Sequence, residues 1–263
     1  MHRKAFAAVL VATATLALSS SASAAQSTTA QASLSNLKLG VIDLTPNDGV
    51  AAGYQLGSRD TQVAVFSQWL ENGQPAGAAN RQQFEFPVPV NFNVQHGGLK
   101  AQAQLNGSLG NLKSVVTGTP ELGWNGHYVA GDASQTVRVL LKAHTALSIS
   151  GDYSALLSTQ NPGYFNLPGQ TQLGVSFNSL SMPGLINERF SKGWTLAPGS
   201  AGESASGGFS LLASNNTDDD IEASLGFYVG SSVSLAPVPE PTTWLMLGAG
   251  MLVLAGRRRF GRS

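Results

Sequence analysis

QFEFPVPVNFNV, residues 83–94, sets the period of the chain. Phe84, Phe86, Val88, Val90, Phe92 and Val94 alternate with Gln83, Glu85, Pro87, Pro89, Asn91 and Asn93. A repeat of two puts the apolar side chains on one face of an extended strand and the others on the opposite face. Pro87 and Pro89 have no N–H for a neighbouring strand, so the stretch is predicted to be an edge strand or a bulged one. Prolines there also discourage pairing with another sheet. Gln95-His96-Gly97-Gly98 reads as a turn, and Leu99, Ala101, Ala103 and Leu105 then alternate with Lys100, Gln102 and Gln104. The two runs form a predicted β-hairpin.

The same period marks candidate strands at 34–44, 62–70, 112–117, 136–143, 146–150, 172–180, 208–213 and 221–229. Between them stand Pro46-Asn47-Asp48-Gly49, Asn72-Gly73, Asn106-Gly107, Gly151-Asp152, Asn161-Pro162-Gly163, Pro183-Gly184 and Asn215-Asn216. These are turn formers by mechanism, because proline presets φ while glycine and asparagine accept positive φ. Residues 26–230 show no amphipathic helix of more than two turns. The expected fold is all-β: an antiparallel β-sandwich, jelly-roll-like or Ig-like, over residues 26–230, with a linker at 231–238. The chain has no cysteine, so its core must form without disulfides, thiolate metal sites or a cysteine nucleophile.

Both ends differ from this pattern. Arg3 and Lys4 precede an uncharged apolar run to Leu18, followed by small residues including Ala22 and Ala24. That order predicts a signal peptide over residues 1–25. At the other end, Trp244 to Gly256 is a run of 13 residues without a charge. As a helix it would be ~20 Å long, short for a bilayer core of ~30 Å. Arg257, Arg258, Arg259 and Arg262 follow at once, a cluster retained on the cytoplasmic side. A short transmembrane helix at the C-terminus is therefore expected, as a stop signal rather than a lasting anchor.

Val238-Pro239-Glu240-Pro241, then the apolar helix, then Arg257-Arg258-Arg259, resembles the PEP-CTERM sorting signal of Gram-negative bacteria. The resemblance spans residues 239–263 and makes Pro239, Glu240, Pro241, Arg257, Arg258 and Arg259 the signal positions. It implies recognition by the membrane protease exosortase, processing near Pro-Glu-Pro, and association with exopolysaccharide or biofilm. The prolines hold the segment extended, the form a protease site accepts. The precursor would sit in the inner membrane through its tail, and the product in the cell envelope or extracellular matrix. Residues 34–49 and 139–150 also resemble segments of a group of PEP-CTERM β-proteins, which adds architecture but no activity.

Leader and tail carry six of the 15 basic residues. The exported part keeps 9 basic against 14 or 15 acidic residues, about −5 to −6. That balance argues against a nucleic-acid partner. His96, His127 and His144 are too scattered for H-E-x-x-H or any close pair, and no G-x-S-x-G elbow occurs. Asp218-Asp219-Asp220 with Glu222, or Asp43 with Asp48, could supply oxygens to calcium but lack the spaced loop pattern, so both read as solvated turns. No metal, cofactor or catalytic residue is assigned. Trp69, Trp124 and Trp194 are candidates for stacking on sugar, with Trp124 the best of them as a ligand contact. The expected function is that of a non-catalytic surface or exopolysaccharide-matrix protein. The alternatives are a carbohydrate-binding module and a secreted hydrolase built on two carboxylates.

Overall fold

A computed structural model describes residues 27–71, 74–85, 88–119, 127–160, 168–182, 185–196 and 200–235. The signal peptide, Trp124, Pro239, Glu240, Pro241, the apolar helix and Arg257, Arg258 and Arg259 lie outside these residues. The described residues form twelve strands: β1 (Ser27–Asp43), β2 (Tyr54–Glu71), β3 (Gln74–Phe84), β4 (Pro89–His96), β5 (Leu99–Asn106), β6 (Leu112–Gly118), β7 (His127–Leu141), β8 (Thr145–Gln160), β9 (Gly169–Ser179), β10 (Asn187–Thr195), β11 (Gly202–Asn215) and β12 (Ile221–Leu235). Sheet I has the order β11-β8-β1-β6-β5-β4, and sheet II the order β10-β9-β12-β7-β2-β3. Every pairing is antiparallel.

The alternation read from sequence is the burial pattern. Leu99, Ala101, Ala103 and Leu105 of β5 are buried, as are Ile221, Ala223, Leu225, Phe227 and Val229 of β12. They join one apolar cluster drawn from both sheets. The layers come close at their middle, where Ser114 Oγ of β6 donates to the Gly131 carbonyl of β7 at 2.6 Å. Gln135 of β7 is buried too; its Oε1 accepts from the Gly110 N–H at 2.7 Å, which satisfies an amide that would be costly to bury alone.

Residues 83–94 are two strands, not one. Phe84 ends β3 at the edge of sheet II, and Pro89 opens β4 at the edge of sheet I. Pro89 has no N–H to offer a ladder and stands at the first position of β4; between Phe84 and Pro89 the chain passes to the other sheet. The predicted hairpin is present: His96 pairs with Leu99 around Gly97, whose φ is +51°.

Three other readings change. Gly151-Asp152 is not a turn but the middle of β8. A Cβ on Gly151 would stand 2.9 Å from the Phe209 ring and from the Ser35 carbonyl oxygen, so this glycine serves close packing. Opposite it, β1 carries a bulge between Ser35 and Lys38, where Asn36 has φ +55° and its Nδ2 donates to Asp152 Oδ2 at 2.7 Å. Residues 231–235 are not linker, because β12 continues through them, with Ser231 and Val233 still buried. Strands β3 and β10 had no clear signal; each is an edge of sheet II with few apolar residues.

Gly151→Ala removes some unfolded-chain freedom, worth ~0.5–1 kcal/mol, but forces atoms into an occupied space. Overpacking costs about 1–3 kcal/mol and wins. Urea denaturation should show Gly151→Ala destabilised, and Gly193→Ala not, because its Cβ would meet only an ordinary contact at 3.7 Å.

Candidate functional site

The acidic residues of the β11–β12 turn have separate tasks. Asp218 Oδ1 lies 2.9 Å from His144 Nε2. The Asp219 carbonyl accepts from Asn215 Nδ2 at 2.8 Å, and Asp220 Oδ1 accepts from the Ala143 N–H at 3.0 Å. His144, at φ +50°, thus helps tie the β7–β8 turn to the β11–β12 turn. Asp43 and Asp48 likewise serve their own turn. Asp48 accepts from the Thr45 hydroxyl at 2.5 Å and the Val50 N–H at 2.7 Å, and these bonds hold its carboxyl below the usual range. Among the described residues no three acids or histidines are grouped to hold a metal ion.

Two of the three sugar-stacking candidates are described, and both face the other sheet. Trp69 of β2 stacks on His96 of β4, with centroids 3.7 Å apart and an angle of 9°. Trp194 of β10 packs with Tyr153 of β8, 6.1 Å away. His127 is buried, and burial first, then the charge of His96, pushes its pKa down, so it favours the neutral form.

The outward face of sheet II holds a different arrangement. Register places Ala64 of β2, Asp132 of β7, Gly230 of β12 and Gln172 of β9 in one row across the sheet. Tyr228 stands in the next row, opposite Ser134 and Gly174. Its ring leans over Gly230: a Cβ there would lie 2.3 Å from the Tyr228 hydroxyl. Gly230 is therefore buried although it points outward. Gln172 Nε2 donates to the same hydroxyl at 2.9 Å. Tyr128 closes the far end, 5.9 Å from Phe66. Between the tyrosines lies a depression of about 250 Å³, with Asp132, Gln172 and Gly193 on its walls and floor. A second, larger one, about 700 Å³, adjoins it past Tyr228 along Ser134, Ser176 and Gly226.

Burial pushes the Asp132 carboxyl up, against the opposing charge of Arg81. Burial also raises the Tyr228 phenol; the hydrogen bond from Gln172 opposes this, and Asp132 and Tyr128 add to it. A half-buried carboxylate with a raised pKa is a common mark of a binding surface. Neither tyrosine nor Asp132 stood out in the sequence. The available signal was an outward polar or aromatic side chain beside an outward glycine, and that needs the register.

Residues 237–259 match the PEP-CTERM protein-sorting motif. This chain carries a PEP-CTERM sorting signal. The match implies an exported protein, recognised by exosortase and membrane-anchored before processing. A search of curated proteins gave no match.

The raised Asp132 pKa has a direction for stability. The folded state holds the proton more tightly than the unfolded chain, so the gain is fully present below the ordinary value of 3.8 and is lost as pH rises through the folded value. Asp132→Asn should melt higher than wild type at pH 7 and lose that advantage below pH ~3.8. The gap should stay under about 1 kcal/mol, because solvent reaches the group. Calcium at millimolar concentration should leave the wild-type melting midpoint unchanged, since the carboxylates of the acidic turn diverge.

Proposed function

We propose that the chain is an exported, non-catalytic β-sandwich protein of the cell surface or exopolysaccharide matrix, sorted and processed by exosortase. The carrying observation is the PEP-CTERM motif placed directly after a body of two antiparallel sheets. Seven of the eleven connections between strands pass from one sheet to the other, which favours a jelly-roll-like over an Ig-like plan. Outward faces rich in serine, threonine, glutamine and glycine suit a hydrated matrix. Cross-strand hydroxyl pairs such as Ser33–Ser154, at 2.8 Å, line such a face of sheet I.

In this reading the tail acts as a temporary address. The short apolar run holds the precursor in the inner membrane, the arginines fix its orientation, and Pro239-Glu240-Pro241 presents an extended segment to the protease. The body then leaves the membrane. The non-catalytic assignment is supported by the separate duties of the Asp218 and Asp220 carboxylates, which bond to His144 and to the Ala143 N–H.

Intact mass of the protein recovered from its host tests this, alongside an Arg257/Arg258/Arg259→Ala variant. The native form should lack the residues after Pro-Glu-Pro, and the variant should retain them. If both forms keep Arg262 and fractionate with the inner membrane, the tail is a plain anchor and the matrix assignment fails.

A further inference from the structure

We propose that the depression between Tyr128 and Tyr228 on the outer face of sheet II is a binding site for neutral hexopyranose units of a polysaccharide. This goes beyond sorting, because the site is built from strands and does not involve the tail.

Four features carry it. First, Tyr228 lies along the sheet over Gly230 instead of standing off it, because the glycine leaves that space empty. Tyr228 is half-buried and borders both depressions, so part of its ring stays open to a ligand. An aromatic ring stacks on the C–H face of a pyranose, with its negative face against slightly positive hydrogens. Second, the ring is held in place, since Gln172 Nε2 binds its hydroxyl at 2.9 Å. A fixed aromatic loses little freedom when a ligand binds. Third, hydrogen-bonding groups of both kinds stand beside it: the Asp132 carboxylate accepts, and the free positions of Gln172 and the hydroxyls of Ser232 and Thr195 donate and accept. Sugar hydroxyls need both. Fourth, Gly193 keeps the floor low on the β10 side, where an added Cβ would meet nothing nearer than 3.7 Å.

Size and charge narrow the ligand. About 250 Å³ is below the usual range for a drug-sized pocket and suits a single ring. The adjoining depression shares Gln172, Gly193 and Tyr228, so the next units of a chain have a continuous path across the sheet. Asp132 is the one carboxylate among the residues around the first depression, which sits on a body of net negative charge. A uronate unit would be repelled beside Asp132, while Arg189 lines the adjoining depression. A lone carboxylate also lacks the partner that glycoside hydrolysis uses, so the site binds rather than cleaves.

The test is native electrophoresis of the full-length chain in mild detergent, through gels containing dextran, laminarin, hydroxyethylcellulose or galactomannan. At least one of these neutral polymers should retard the wild type. Tyr228→Ala should weaken that retardation about tenfold or more, as expected for a central aromatic anchor. Asp132→Asn should weaken it several-fold while melting no lower than wild type, so its loss cannot come from misfolding. Leu212→Ser, on the outer face of sheet I, should bind as wild type does. Retardation by none of the four polymers overturns the proposal. So does retardation unchanged in Tyr228→Ala and Asp132→Asn, or lost equally in Leu212→Ser. Each of these results leaves the processing of the tail untouched, and a plain anchor would leave this site untouched.

Discussion

The close contact of two sheets across a core of small residues is the constraint on which the rest of the molecule depends. Without cysteine, no disulfide ties the layers together. Sheets usually stack about 10 Å apart. Here Ala30, Ala32, Ala101, Ala103 and Ala133 are fully buried, and a serine hydroxyl of one sheet reaches a backbone carbonyl of the other. Such closeness requires a small residue on both sides. A Cβ on Gly131 would stand 3.3 Å from both the Gln102 carbonyl and Ser114 Oγ. Buried apolar area still supplies the main driving force, at roughly 25 cal/mol per Å². The larger side chains, such as Phe177, Leu225 and Ile149, fill the space around this tight middle.

A core fixed from inside leaves the outward positions free of packing demands. Sheet I uses them for hydroxyl pairs and bulge contacts. Sheet II uses them differently, with outward Gly174, Gly193, Gly226 and Gly230 around Tyr228. Glycine weakens a strand, so four of them on one face need a reason. Room for something to lie against the sheet is such a reason. Asp132, held partly out of water, is a second departure from what stability alone would choose.

Sequence reading succeeded where one face was buried and the other wet. Strands β5 and β12 alternate without a break, and their buried sets are the ones the period names. It failed at edges, because Gln74–Phe84 and Asn187–Thr195 bury too little for any period to show. It failed at Gly151 for another reason: a glycine needed for turning and a glycine needed for close packing look the same in one dimension. Ser231–Leu235 looked like a linker because serine dominates it, yet pairing with β7 throughout, and with β9 as far as Val233, keeps it in the sheet. The motif of the tail was legible because its three parts are contiguous. The outer trough was not, because Tyr128, Asp132, Gln172 and Tyr228 come from three strands and meet only through register.

The placement of β12 has a mechanical consequence. Its C-terminal end leads into the segment that carries the sorting motif, and it lies in the interior of sheet II, between β7 and β9. A tension applied to that segment therefore enters the body through a strand with ladders on both sides. Pulling along the strand loads many hydrogen bonds in parallel, where an edge strand pulled sideways would open them one at a time. The body is joined to the motif-bearing segment at a point built to resist shear, which suits a chain whose sorting motif implies anchoring through that segment before processing.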